Sequence, residues 1–204
     1  EVYSETFAID KTYSRRAGVV DLDFDGNGFE IDAALLERLD PLYHYTLTAA
    51  REAFTGCRLS SIIRNRTGVI LAAIALPTEG SSAFANRIIG RQLSRKMFDE
   101  KALNDTVALS QTDLISARVT SQPASVLAKA FRLGGGSYTL DAACSTSLYA
   151  VKLACDELAA GRADAMIAGG VSRPEILYTQ VGFTQLRALS RSGCCRPFDA
   201  NADR

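Results

Sequence analysis

The chain has 204 residues, of which 47% are hydrophobic and 23% charged, a composition typical of a globular protein and not of a disordered one. Lysine and arginine together number 23, as do aspartate and glutamate, so the net charge gives no argument for binding nucleic acid or an anionic membrane. No apolar run approaches the length of a membrane span, and the first residues lack the pattern of a signal peptide.

The beginning of the sequence predicts irregular chain followed by two helices. Residues 1–31 are rich in aspartate and glycine and match no regular pattern. Asp32 is predicted to cap a short helix, because an aspartate side chain accepts hydrogen bonds from the N–H groups of a first helical turn. Asp40 and Pro41 predict the start of a second helix, with the aspartate as N-cap and the proline at the first helical position. Gly56 is the expected stop of this second helix.

The next two predicted elements are a buried strand and a long helix. Residues 69–76 are all apolar and lie between Gly68 and Pro77, a pattern typical of a strand that helices cover on both faces. Residues 82–101 predict a helix with arginines along one side. We interpret this basic side as a solvated face, with a docking surface for a partner as the alternative. Its arginines are Arg87, Arg91 and Arg95.

Helices and strands alternate in the second half of the sequence, which predicts a parallel sheet. Residues 124–133 predict a helix that the glycines 134–136 end, and the spacing of these glycines matches no phosphate-binding loop. A strand ending near Asp141 and a helix reaching about Ala160 follow. Residues 165–168 predict a short buried strand, stopped by the two glycines after it. This succession indicates a crossover unit and an α/β fold.

The helix that reaches Ala160 has an apolar stripe at helical spacing and is predicted to be central in the fold. We assign Cys155, which belongs to the stripe, to the core, because cysteine is among the most buried residue types. The stripe comprises Leu148, Val151, Cys155 and Leu158.

Cys144 lies at the junction between the strand ending near Asp141 and this helix. The unpaired N–H groups at the start of a helix carry partial positive charge, so they favour an anion and hence the thiolate form of a cysteine. Other enzymes place a nucleophile on such a strand–turn–helix elbow. Cys144 is therefore the candidate nucleophile.

The remaining cysteines and the one histidine receive structural roles. The chain has five cysteines, none in CxxC spacing, and a single histidine, His44, so we expect no bound metal ion. The cysteine usage favours a reducing, cytoplasmic location. Cys194 and Cys195 are assigned to a loop, and His44 to packing or a surface hydrogen bond.

Residues 141–148, DAACSTSL, resemble the active-site signature of the β-ketoacyl synthases, the condensing enzymes of fatty acid and polyketide assembly. The similarity extends from about residue 30 to the end and is nearest to the synthase domains of polyketide and polyunsaturated fatty acid enzymes. Four further segments resemble the family in the family's order: LDP at 39–41, LACDELAAG at 153–161, ADAMIAGGV at 163–171 and RPFDA at 196–200.

The resemblance implies a thiolase-like, layered α/β/α/β/α fold, of which residues 1–204 supply the N-terminal half, truncated at both ends. It implies a homodimer with its interface near the nucleophile strand. The two catalytic histidines of the family match no residue here, so the chain alone is expected to be inactive. We also expect it to expose the surface against which the second half packs, and hence to be poorly soluble. Phe198 and Asp199 are expected to pin a loop near the active site.

By the same resemblance, Cys144 accepts an acyl group from the phosphopantetheine of an acyl carrier protein, and no cofactor is bound directly. A decarboxylated malonyl-type extender then attacks the thioester and gives a β-ketoacyl product. The Cys144 N–H is expected to donate to the oxyanion. The sequence does not distinguish between a fatty acid, a polyketide and a glycolipid precursor as the product.

Three other functions are weighed against this one. A thiolase-like enzyme acting on coenzyme A thioesters is the first alternative. A non-catalytic partner subunit of the same fold is the second, and it is disfavoured because such subunits typically lack the cysteine. A serine hydrolase using Ser145 or Ser147 has little support, since no glycine brackets either serine.

Overall fold

The computed structural model describes residues 3–6, 8–55, 57, 60–98, 110–174 and 176–203. They divide into two compact units. The larger unit, Asp23–Arg173, contains the sheet and the candidate nucleophile. The smaller unit is built from Glu1–Leu22 and Pro174–Arg204.

The larger unit opens with the two predicted helices, α1 (Ala33–Glu37) and α2 (Pro41–Phe54). Both predicted N-caps are confirmed: Asp32 accepts a hydrogen bond from the first turn of α1, and Asp40 does so for α2. The predicted stop at Gly56 lies outside the described residues. A short helix, α3 (Ser61–Asn65), leads into the sheet.

Three parallel strands form the sheet, in the order β2-β1-β3. The central strand β1 is buried along its whole length, as predicted, although it ends at Ala73 and not at residue 76. This burial follows because β1 lies between two other strands and helices cover both faces of the sheet. The strands are β1 (Thr67–Ala73), β2 (Ser137–Leu140) and β3 (Ala165–Val171).

A continuous helical run follows β1 and begins three residues before the predicted helix start, at Glu79 instead of residue 82. Its predicted end, residue 101, lies outside the described residues. On its basic side, Arg87 pairs with Asp113 at 2.6 Å, and the docking alternative stays a prediction. The run comprises α4 (Glu79–Ala85), a π-helical turn (Asn86–Gly90) and α5 (Arg91–Phe98), and α6 (Gln111–Ser116) comes next.

The triple glycine does not end the helix before it, so that prediction is wrong. Helix α7 (Pro123–Ala130) stops earlier, where Arg132 adopts a left-handed φ of 53° and the Leu133 N–H donates to the Ala128 carbonyl. Gly134 and Gly135 instead allow their backbone to lie close to the backbone of Asn65 and Thr67. A Cβ built on Gly135 would lie 2.5 Å from the carbonyl carbon of Thr67 in β1.

The glycines at the end of β3 do not stop that strand, which corrects a second prediction. The strand continues through Gly169 and Gly170 to Val171. A Cβ on Gly170 would lie 3.2 Å from the Cβ of Ala72 and 3.4 Å from the Cβ of Ser147. The glycine therefore lets β3 lie close to the start of the helix that precedes it in the chain, which contains Ser147.

Side chains of β1 point alternately into two cores. Val69 and Leu71 join the larger core, formed with α1, α2 and α7. Ile70 points the other way and packs against Ala150 and Ala154 of α8 (Thr146–Ala159). The sheet therefore has helices on both faces, and the α/β fold class predicted from the sequence is confirmed.

The prediction that the apolar stripe of α8 is core is wrong. Leu148 is 73% exposed, Val151 50% and Leu158 43%, and Cys155 is exposed as well. The helix packs on β1 and β3 through its small residues, which allow the backbones to approach closely. The larger side chains of the stripe point away from the sheet.

Asp40 is a buried junction between three helical segments. One carboxylate oxygen accepts from the Leu42 N–H at 2.9 Å, and the other accepts from the Thr78 hydroxyl at 2.6 Å and the Gly80 N–H at 3.1 Å. The Asp40 N–H donates to the Ser116 hydroxyl at 3.2 Å. These bonds join the start of α2 to the start of α4 and the end of α6.

Nearby, Tyr43 is fully buried and its hydroxyl donates to the Ile115 carbonyl at 2.6 Å. Burial, with the Asp40 carboxylate as a second cause, raises the pKa of Tyr43 far above its usual value. The phenol therefore stays protonated and remains a hydrogen-bond donor.

The smaller unit contains α9 (Ile176–Gln185) and a buried hydrogen bond of 3.0 Å between the hydroxyls of Thr184 and Thr12. Cys194 and Cys195 lie in an exposed loop, as predicted. Phe198 is fully exposed, which contradicts its predicted role in pinning a loop. The Asp199 side chain accepts hydrogen bonds from Asn201, two residues on.

We expect Asp40→Ala to lower the free energy of unfolding by about 3 kcal/mol, because a helix cap is lost and buried donors are left unpaired. Asp32→Ala is the control: it removes the N-cap of α1 and should cost about 1 kcal/mol. Urea unfolding of the two variants measures the difference. Equal losses would contradict a junction role for Asp40.

Gly135→Ala should lower the free energy of unfolding by about 1–3 kcal/mol, since the added methyl meets backbone atoms of β1. Gly136→Ala is the matched control next door: its Cβ would have no atom within 4 Å, so a change within about 0.5 kcal/mol is expected. Thermal or urea unfolding distinguishes the two, and tolerance of alanine at both positions would contradict the close approach.

Candidate active site

Cys144 lies at a strand–turn–helix elbow, the local structure predicted for it. Strand β2 ends at Leu140, a 3-10 turn spans Ala143–Ser145, and α8 begins at Thr146. The Cys144 side chain is exposed. The N-cap of α8 makes no side-chain hydrogen bond to the first helical turn, so no capping side chain competes there for the N–H groups that favour an anion.

The backbone just before the cysteine is strained. Ala143 has φ of 51°, in the left-handed region, which costs a residue other than glycine roughly 1–2 kcal/mol. Such conformations persist only where surrounding contacts impose them. At this elbow, side chains on both sides of Cys144 supply those contacts.

Two of these side chains are Asp141 and Thr146. The Asp141 carboxylate accepts from the Ala143 N–H at 2.9 Å. The hydroxyl of Thr146, which is buried, accepts from the Ala142 N–H at 2.8 Å and donates to the Ala143 carbonyl. None of these side-chain hydrogen bonds goes to the Cys144 N–H, which is the group expected to donate to an oxyanion.

Sequence analysis missed both residues as parts of the site. A signal for Asp141 was present, since aspartate often accepts a hydrogen bond from the backbone N–H two residues later. Thr146 gave no comparable signal, because its role depends on burial at the start of α8.

Ser145 and His44 are also weighed as candidates, and the structure gives both of them structural hydrogen bonds. The Ser145 hydroxyl donates to the Ala142 carbonyl at 3.0 Å. His44 stacks on Phe24 with ring centroids 4.1 Å apart, and its Nε2 lies 2.7 Å from the Leu36 carbonyl oxygen. The packing role predicted for His44 is confirmed.

Neither a metal site nor a membrane span is present in the described part of the chain. It contains no cluster of histidine, cysteine, aspartate or glutamate suited to a metal ion. Within the same residues, no helix is both long and apolar enough to cross a membrane.

Comparison with known families gives a match over nearly the whole chain. Residues 2–203 match the family model described as "Beta-ketoacyl synthase, N-terminal domain". The chain is 34% identical over 188 residues to a phenolphthiocerol/phthiocerol polyketide synthase of Mycobacterium tuberculosis, covering 90% of the chain and 9% of that protein. It is 26% identical over 156 residues to a polyunsaturated fatty acid synthase of Thraustochytrium, covering 74% of the chain and 8% of that protein.

Solved structures give the same result. The structure titled "PfaC Keto synthase-Chain length factor" superposes with a TM-score of 0.78 at 32% identity, covering 98% of the chain and 22% of that structure. A β-ketoacyl synthase from Burkholderia phymatum superposes with a TM-score of 0.65 at 19% identity, covering 90% and 42% respectively, and supports the fold. The predicted thiolase-like fold is confirmed. The chain spans about a tenth of the length of the polyketide relatives that it matches.

Iodoacetamide should alkylate Cys144 at least about tenfold faster than Cys155 at neutral pH, because only Cys144 lies beside a helix start. Both thiols are exposed, so access does not separate them. Peptide mass spectrometry over a time course gives the two rates, and equal slow rates would count against an activated thiol.

Proposed function

Because the chain belongs to the β-ketoacyl synthase family, we propose that it forms the N-terminal part of a condensing domain in a longer protein, with Cys144 as the nucleophile. The observation that carries this proposal is the exposed sulfur at the elbow between β2 and α8. This position gives the Cys144 sulfur access to an acyl chain and places it beside the N–H groups at the start of α8.

The proposed reaction begins with thioester exchange on Cys144. Its sulfur attacks the carbonyl of an acyl group carried on phosphopantetheine, a bond from carbon to the Cys144 sulfur forms, and the bond to the carrier's sulfur breaks. The proton of the Cys144 thiol ends on the released carrier thiol. Two simpler steps thus replace one direct condensation.

Carbon–carbon bond formation follows in the proposed sequence. A malonyl-type extender loses carbon dioxide, and the resulting carbanion attacks the Cys144 thioester. The new bond gives the β-ketoacyl product, and the Cys144 sulfur leaves with the electron pair. The start of α8 favours this leaving thiolate, and the Cys144 N–H is one donor to the oxyanion.

We propose that the chain alone does not complete this reaction. The family's two histidines match no residue in the sequence, whose single histidine, His44, is held in packing. The groups that stabilise the carbanion therefore belong to the rest of the domain. This division is consistent with the exposed apolar stripe on α8, which a second half would cover.

The proposed partners are an acyl carrier protein and a second copy of the condensing domain. Strand β2 pairs only with β1 within the described residues, so one edge of the nucleophile strand is open. Open edges offer unpaired N–H and carbonyl groups to another strand. This edge supports a dimer interface near the nucleophile strand. A reducing, cytoplasmic location is proposed from the cysteine usage alone.

A non-catalytic partner subunit is the main alternative. The superposed structure supports considering this alternative, because it is described as both a keto synthase and a chain length factor. The exposed Cys144 favours catalysis, since a partner subunit has no use for a nucleophile at this elbow.

Cys144→Ala in the full-length protein should reduce condensation by at least about 10³-fold, as expected when a covalent nucleophile is removed. Cys57→Ala is the matched control, because it removes an exposed thiol beyond the end of α2, and it should leave the rate within about twofold. Product formation from acyl and malonyl thioesters is the measurement. Full activity in Cys144→Ala would favour the partner-subunit role.

A further inference from the structure

Asp141 connects two segments that the chain places 66 residues apart. One carboxylate oxygen accepts from the Ala143 N–H at 2.9 Å, at the elbow. The other accepts from the Ala75 N–H at 2.8 Å, in the loop just after β1. A single carboxylate therefore ties the nucleophile elbow to the exit of the buried central strand.

The segment after β1 is itself fixed at its far end. Thr78 and Gly80 both donate to the buried carboxylate of Asp40. The loop between Ala73 and α4 thus lies between two aspartates, Asp40 at one end and Asp141 at the other. Through Asp141 the elbow is anchored to the most buried strand of the sheet.

We propose that Asp141 is a positioning residue for Cys144, holding the preceding peptide so that the sulfur and the N–H of Cys144 face the same incoming thioester. This inference rests on the proposed function. The two hydrogen bonds of the Asp141 carboxylate go to Ala143 and Ala75 and not to Cys144. It acts by keeping Ala143 in its left-handed conformation.

The arrangement needs two acceptor oxygens in one short side chain. Asparagine keeps the size but replaces one oxygen with a donor, so an amide NH₂ faces a backbone N–H. The hydrogen bond from either Ala75 or Ala143 is then lost. In the first case the elbow is no longer anchored to the end of β1, and in the second the left-handed conformation of Ala143 loses its support. Small misplacements of reacting groups lower rates steeply.

The test is single-turnover acylation of Cys144 in the full-length protein, with S-acetyl-N-acetylcysteamine as the probe. Asp141→Asn should lower the acylation rate at saturating probe by at least about tenfold while the half-saturating concentration stays within about twofold. Asp156→Asn is the matched control, because it removes the same charge from an exposed site on α8. It should acylate at the wild-type rate.

Amide hydrogen exchange resolved to single residues supplies a second test. Its result for the wild-type protein alone can already contradict the proposal. In the wild type, the Ala143 and Ala75 amides should exchange slowly, and Asp141→Asn should speed one or both. Unprotected exchange of both amides in the wild type would overturn the proposal. So would a wild-type acylation rate in a folded Asp141→Asn protein.

Failure of this inference is distinguishable from failure of the proposed function. If Cys144→Ala still condenses, Cys144 is not the nucleophile, and both proposals fall. If Cys144→Ala is inactive while Asp141→Asn acylates normally, only the positioning role of Asp141 falls.

Discussion

The left-handed turn at Ala143 is the constraint around which the candidate site is organised. A residue other than glycine does not adopt this conformation without support, and here a carboxylate on one side and a buried hydroxyl on the other supply it. The turn brings the chain from the end of β2 to the start of α8 within five residues, 141–145. Cys144 lies within this turn, exposed and next to a helix start.

Close packing of backbones makes the turn possible. Helix α8 meets the sheet through Ala150 and Ala154, which pack against Ile70. Gly170 leaves room for Ser147 in the first turn of α8. Larger residues at these contacts would push the helix away from β3 and open the elbow. Small residues of α8 face the sheet, and its larger apolar side chains therefore lie exposed on the opposite face of the helix.

Much of this fold could be predicted from local sequence. Aspartates at helix starts, the apolar run of β1 and the strand–turn–helix elbow each have a short-range physical cause. The structure contains all three, although β1 spans Thr67–Ala73 and not residues 69–76. The orientation of α8 could not be predicted, because helical periodicity identifies a stripe and not the neighbour it packs against. The same limit applies to Gly135 and Gly170, whose role is close approach to distant segments. It applies also to Asp141, whose second partner lies 66 residues earlier.

The central claim is that the sulfur of Cys144 receives an acyl group, and mass spectrometry of the acylated protein tests it most directly. After incubation of the full-length protein with an acyl thioester and rapid acid quenching, proteolysis should yield the acyl mass on the peptide containing Cys144, and fragmentation should place it on that residue. An acyl group found instead on Ser145 or Ser147, or on no residue of this segment, would contradict the account.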